Sequence, residues 1–262
     1  MITELGQREK LVRKEDSLRE QFYKFFKILP ANTEPLLREV YHLRFQVYCL
    51  ETGFESKEDC QYIIENGQEI WLEKDKYDRR AVHYLVQHRR TGLYAATVRL
   101  VLPDHRNINI PFPIENHCNL EFPVKNPKIR RHLAEISRFA VSREFKKRQG
   151  EKGTLAGISD STEVYLEPEE RRILPHMAVG LFAAIGKMSC ENDITHWYAV
   201  MEPALLRLLR LFGIRFIPIG DDVDYHGLRR PCLAEFSKVL ASIRNVNPDV
   251  WDFVTDNGKY VK

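Results

Sequence analysis

Apolar positions along the chain switch between a spacing of three to four and a spacing of two, and the switches outline an α/β protein. Residues 20–29 (EQFYKFFKIL) are rich in aromatics and stop at Pro30. They read as a first strand, with an amphipathic helix as the competing reading. Thr33 followed by Glu34-Pro35 is a helix start, a capping hydroxyl with proline in the first turn. Leu36, Leu37, Val40, Leu43, Val47 and Leu50 then recur at helical spacing up to Gly53. Residues 51–80 are polar and irregular and read as a mobile loop. Residues 81–89 (AVHYLVQHR) and 93–102 (LYAATVRLVL) flank Arg90-Thr91-Gly92 and predict a β-hairpin. Residues 103–131, with several Pro and Asn, read as loop, and residues 133–142 (LAEISRFAVS) as a central strand.

Residues 143–168 are charged and without period. After Glu167-Pro168 a long apolar helix runs to about Cys190. Residues 194–201 (ITHWYAVM) predict a strand, Glu202-Pro203 opens a helix that stops at Gly213, and 214–219 (IRFIPI) predict another strand. The tail reads as a strand with short helices. The order fits a mixed central sheet with helices on both faces. Strict βαβ alternation does not fit, because a hairpin is antiparallel. No Gly/Ser/Pro-rich linker divides the chain, so residues 20–262 are expected to form a single domain after an N-terminal arm, 1–19.

Composition narrows the classes. The 262 residues carry 40 basic and 37 acidic side chains, a net charge of +3, too near neutral to point to nucleic acid. Cys49, Cys60, Cys118, Cys190 and Cys232 are scattered, odd in number and form no C-x-x-C, which predicts free thiols in a reducing cytoplasm. The histidines show no metal-ligand spacing, so no metal is expected. Met1 to Lys14 is polar and lacks a signal-peptide core. No run of about 18 apolar residues is present, so no transmembrane helix is expected; a peripheral membrane contact stays open.

Four polar clusters interrupt the apolar elements. Arg44 and Tyr48 lie four apart on one face of the first predicted helix, and Phe54 follows at its end. Asp75 and Asp78 precede the hairpin. Arg99 stands between Val98 and Leu100, and Glu135 and Arg138 stand in the central strand. Each has an ordinary reading: Arg44 as a solvated charge, the aspartates as turn residues, Arg99 reaching water from an edge strand. Three apart, Glu135 and Arg138 face opposite sides of a regular strand. Buried charges must be paired, however, and together these acids and arginines would make a polar cavity floor.

Taken in order, the clusters resemble the pattern of acyl-homoserine-lactone synthases, the autoinducer synthases of the GNAT-like fold. The matching positions are Arg44, Tyr48, Phe54, Asp75, Asp78, Arg99, Glu135 and Arg138. Tyr48 stands where that family has Phe, and Phe54 where it has Trp. The stretches LRFQVYCLETGFE (43–55), AEISRFAVSREFKKR (134–148), HWYAVMEPALLRLLRLFGI (196–214) and PIGDDVDYHGLRRPC (218–232) are similar to PEP-CTERM/exosortase-system-associated acyltransferases. That group is related to long-chain N-acyl amino acid synthases.

The resemblance implies a GNAT-like (acyl-CoA N-acyltransferase) fold, no bound cofactor, and an acyl thioester on the phosphopantetheine arm of an acyl carrier protein, with acyl-CoA as the other donor. The acceptor would be the amine of an amino acid or similar small molecule. Glu135 is the candidate base that deprotonates the attacking ammonium; burial would raise its pKa and nearby arginines would lower it. Backbone N–H groups beside the splayed fourth strand would stabilise the oxyanion. Asp75 or Asp78 would hold the acceptor ammonium, and Arg99 or Arg138 a carboxylate, against the ordinary reading of mutual salt bridges. Arg143, Lys146, Lys147 and Arg148 would steer an acidic carrier, against the ordinary reading of a solvated charge run. Met177, Val179, Leu181, Phe182, Ile185 and Trp197 would line an acyl tunnel or simply fill the core. Cys232 with His226 lacks the orienting group a Cys/His nucleophile needs. Two alternatives remain: an acyl-homoserine-lactone synthase using S-adenosylmethionine, and a non-catalytic module that binds acyl carrier protein or an acyl amide.

Overall fold

The computed structural model describes residues 16–146, 166–224 and 227–261. The stretch expected as a first strand is divided between helix α1 (Leu18–Phe25) and strand β1 (Phe26–Pro30). The cause is local. Ser17 Oγ accepts the Glu20 N–H, and the Glu20 carboxylate accepts the Ser17 N–H at 2.8 Å, a capping box that starts a helix. Phe22 of α1 then packs at Gly180, where any Cβ would overlap its ring.

Helix α2 (Glu34–Phe45) runs into a π-helical turn, Gln46–Glu51. Residues 51–80 are not a mobile loop. Strands β2 (Gln61–Glu65) and β3 (Gln68–Leu72) form an antiparallel hairpin. Its Asn66-Gly67 turn has φ of 51° and 78°, the left-handed pair that a two-residue hairpin turn requires. That dipeptide was the legible signal.

Strands β4 (Ala81–His88) and β5 (Tyr94–Val101) are the expected hairpin, and β6 (Leu133–Val141) is the expected central strand. Short helices α3 (Pro113–His117) and α4 (Pro127–Arg130) interrupt the connection between β5 and β6. Helices α5 (Pro168–Ile173) and α6 (Met177–Glu191), joined by a 3-10 turn, make one helical stretch. It is long and apolar enough to cross a membrane, but 78% of its most apolar 18-residue stretch is buried inside the protein, as a core helix would be. Strand β7 (His196–Met201) and helix α7 (Pro203–Leu211) follow. The next strand shrinks to β8 (Ile217–Pro218), then come β9 (Val223–Asp224), β10 (Leu228–Glu235), α8 (Phe236–Val246) and α9 (Pro248–Thr255).

The main sheet runs β1-β4-β5-β6-β7-β10-β8, with β9 on β10. Its neighbours are antiparallel except β6 and β7. Helix α6, backed by α1 and α9, packs over Val86, Val98, Leu100 and Ala134, while α2 covers Leu85 and Ala140 on the opposite face. The mixed α/β architecture with both faces covered is therefore present as expected.

Candidate active site

Two irregularities of β6 build the site. First, Thr97 pairs with Ala140 and Arg99 with Ser137, so Val98 alone opposes both Arg138 and Phe139. Arg138 takes a left-handed φ of 49°. This is a β-bulge, one extra residue that shifts the phase of the strand. Without it Arg138 would follow Ala134 and Ile136 into the apolar α6 face. With it Arg138 turns to the α2 face, the side of Glu135 and Ser137. The expectation that Glu135 and Arg138 face opposite sides is corrected by this single residue.

Second, β6 pairs with β7 only from Leu133↔His196 to Ile136↔Ala199. Beyond that point β6 stays with β5 and β7 stays with β10, and the two strands part. A cavity of about 880 Å³ fills the parting and extends to the α2 face, within the range of small-molecule sites. The edge of β6 past Ile136 turns its backbone to this cavity.

The polar clusters converge on the α2 face. Arg44 is fully buried rather than solvated. It donates to Glu73 and, at 2.7 Å, to Asp78. Arg99 is buried in a central strand rather than reaching out from an edge. Its Nη1 donates to Asp75 at 2.7 Å and Asp78 at 2.9 Å, and its Nε to Ser137 Oγ at 2.9 Å. Arg138 donates to Glu55 and Glu73, both at 3.0 Å, and its guanidinium lies 5.2 Å from the centre of the Tyr48 ring. Asp75 caps the turn before β4 by accepting the Tyr77 N–H, and Asp78 returns the bond from the Asp75 N–H. Burial pushes the Glu73 carboxyl up, but Arg44 and Arg138 outweigh it and bring it down to about 2. Burial likewise opposes, and Arg44 and Arg99 reverse, the shift on Asp78, which ends well below the usual carboxylate range.

Glu135 behaves oppositely. It is buried and accepts the Ile114 N–H at 2.8 Å. Burial dominates the Ile114 bond and the more distant Arg99, and its carboxyl is pushed up to about 8. Of the two opposing effects foreseen from the sequence, desolvation wins.

Residues 43–156 match the family described as acetyltransferase (GNAT) domain. The structure resembles that of TofI in a ternary complex with an inhibitor and MTA, with a TM-score of 0.54 and 16% identity over 86% of this chain and 99% of TofI. It resembles equally BjaI, a CoA-dependent acyl-homoserine lactone synthase with SAM and isopentyl-CoA, with a TM-score of 0.53 and 16% identity over 88% of each chain. The fold is the GNAT fold. FeeM, an N-acyl amino acid synthase from uncultured soil microbes, aligns with a TM-score of 0.49 and 10% identity over 84% of this chain and 96% of its own. No curated protein sequence matches the chain.

Within this GNAT fold, Tyr48, Phe54, Asp75, Arg99, Glu135 and Arg138 line the cavity. Arg44 and Asp78 do not. The Asp78 side chain is wholly buried between two arginines, so it cannot meet an acceptor ammonium; Asp75, at the cavity wall, can. Arg99 and Arg138 are paired with protein carboxylates, the mutual salt bridging that competes with a hold on a substrate carboxylate. Sequence reasoning missed Glu55, Glu73 and Ser137. Glu73 stands two residues before Asp75, and the others lie inside stretches already singled out.

Of the expected basic apron, Lys146 lines the cavity and Arg143 is exposed; Lys147 and Arg148 lie outside the described residues. Of the expected acyl tunnel, Met177 and Phe182 line the cavity, while Val179, Leu181, Ile185 and Trp197 are core. Cys232 is fully buried, and burial pushes its thiol up to about 12, which removes it as a nucleophile; His226 lies outside the described residues. Among the described residues, no group of three or more His, Cys, Asp or Glu side chains is placed to hold a metal ion.

Proposed function

We propose that the protein transfers a fatty acyl group from an acyl carrier protein thioester to the amine of an amino acid or similar small molecule. The observation that carries the reading is the position of Glu135. It lies where the parting of β6 and β7 meets the carboxylate-rich end of the cavity, and its pKa of about 8 suits a base working near neutral pH. The pantetheine arm would enter between the parted strands, with the acyl chain against Phe139, Met177, Phe182 and Leu205. Each CH₂ buried there would contribute about 0.8 kcal/mol. Asp75 would hold the acceptor ammonium beside Glu135.

The acceptor ammonium gives a proton to ionised Glu135, and the free amine attacks the thioester carbonyl. A C–N bond forms, the C–S bond breaks, Glu135 returns its proton to the departing thiolate, and the second proton of the acylated nitrogen leaves to solvent. The exposed backbone of β6 supports the developing oxyanion. Arg143 and Lys146 would face an acidic carrier. A relation to exosortase-system-associated acyltransferases would make an N-acyl amino acid or related amide the product.

The test is expression in a bacterial host and mass spectrometry of lipid extracts, comparing the native chain with Glu135→Gln. New N-acyl amides that vanish in the variant are expected. A lactone instead would assign the S-adenosylmethionine-dependent synthase reaction. If purified acyl carrier protein thioesters bound but were not turned over with any amine, the protein would be a binding module.

A further inference from the structure

Segment 102–132, which joins β5 to β6, has only two short helices of its own. Its later part is pinned to the sheet by backbone bonds, Leu120 bridging Gly220 and the Glu121 N–H donating to Ile219 O. Its interior is gathered around Arg130, on α4 and almost completely buried. Its Nε donates to Ile108 O at 2.6 Å. Its Nη1 donates to Glu115 Oε1 at 2.6 Å and Val124 O at 3.3 Å, and its Nη2 to Glu115 Oε2 at 2.7 Å and Ile110 O at 3.3 Å. A guanidinium has five N–H donors, and here all five are used, two of them in a bidentate fork on one carboxylate. Glu115 Oε2 also accepts the Phe112 N–H at 2.8 Å. Arg130 thus ties together three stretches, around Ile108, Glu115 and Val124.

What those stretches carry is the wall beside the base. The Ile114 N–H, one residue before Glu115, donates to Glu135, and Pro113, Ile114 and His117 line the cavity next to it. Arg130 itself does not line the cavity. We propose that Arg130 is a positioning residue for Glu135, acting through Glu115 and the backbone of Ile114.

The proposal rests on Glu135 as the base, and it has an electrostatic side. The charged and titratable groups near Glu135 are Arg99 on β5, Arg80 before β4, Glu115 and His117 on α3, Cys118 after it, and Tyr198 on β7. Among the largest charge effects, Glu115 pushes the Glu135 carboxyl up, while Arg99 and Arg80 pull it down. Arg130 is the ion-pair partner of Glu115. The same contact that places the Ile114 N–H therefore also offsets the charge that opposes ionisation of Glu135.

The test reads Glu135 directly, without turnover. The full chain is labelled with ¹³C-glutamate, the Glu135 carboxyl signal is assigned by its loss in Glu135→Gln, and its titration midpoint is measured by NMR. Glu115→Gln keeps an oxygen for Arg130 but removes the charge, and the midpoint is expected to fall by about half a pH unit or more. Arg130→Met leaves the Glu115 charge uncompensated, and the midpoint is expected to rise by a similar amount. In acyl transfer, the rising limb of kcat/KM against pH should move with the same signs. Lowered thermal stability in both variants with unmoved midpoints would overturn the proposal and leave Arg130 merely structural. If Arg130→Met does not fold, Glu115→Gln decides: a midpoint that fails to fall overturns the proposal. Absence of any acyl transfer by the native chain would defeat the functional reading but leave the titration result standing.

Discussion

Replacing Glu135 by Gln should make the protein more stable and inactive at once. The Ile114 N–H can donate to the Gln carbonyl as it does to the carboxylate, so packing and hydrogen bonding survive. What changes is ionisation. Glu135 is held at about 8 in the fold against an ordinary 4.5. A raised carboxyl pKa contributes stability that is fully present below the unfolded value and is lost as pH rises through the folded one. Integrating between those values, the native chain loses about 1 kcal/mol by pH 5 and about 4 kcal/mol by pH 8. The variant has no such loss. Its advantage should grow by about 3 kcal/mol across that range, or roughly 6–12 °C in Tm for a chain of this size. The assay is thermal unfolding of both proteins at pH 5, 6, 7 and 8, beside acyl transfer, which should fall by about 10²–10⁴. A Tm difference that is the same at pH 5 and pH 8 would refute the burial-driven pKa on which the assignment of the base depends.

Asp78→Asn should destabilise by about 3 kcal/mol, read by urea denaturation, because it removes the charge that Arg44 and Arg99 share in a dry environment. Acid should act through Glu73. Its folded value of about 2 lies below the ordinary 4.5, so its contribution of about 3 kcal/mol is present above pH 4.5 and disappears as pH falls toward 2; the urea midpoint should drop steeply over that interval and not between pH 5 and 6. Replacing Arg143 and Lys146 with Glu should raise KM for an acyl carrier protein donor about tenfold at low ionic strength, with the difference shrinking as salt rises. Equal KM values at low salt would remove this surface from carrier recognition.

The cluster itself was legible because its members interrupt apolar elements. Arg99 between Val98 and Leu100, and Glu135 between Ala134 and Ile136, are charges that a buried strand tolerates only with partners. The acids that complete it were less visible. Glu55 and Glu73 sit in polar stretches where a carboxylate is ordinary, and only the β2–β3 hairpin brings Glu73 under Arg44 and Arg138. The first helix was misread for a different reason: aromatic content suggested a pleated surface, while the Ser17–Glu20 capping box decided the conformation.

Local pattern by itself determined the β4–β5 hairpin, the central strand, helix α2 and the fold class, because period, caps and turn residues act within a few positions of one another. Which face Arg138 presents was beyond it. A bulge shifts the phase of a strand only through its pairing with a neighbour, and that neighbour, β5, is some forty positions earlier. The parting of β6 from β7 depends on long-range pairing in the same way. The balance on Glu135 between burial and nearby arginines depends on distance and solvent exclusion, quantities that exist only once the chain has closed around it.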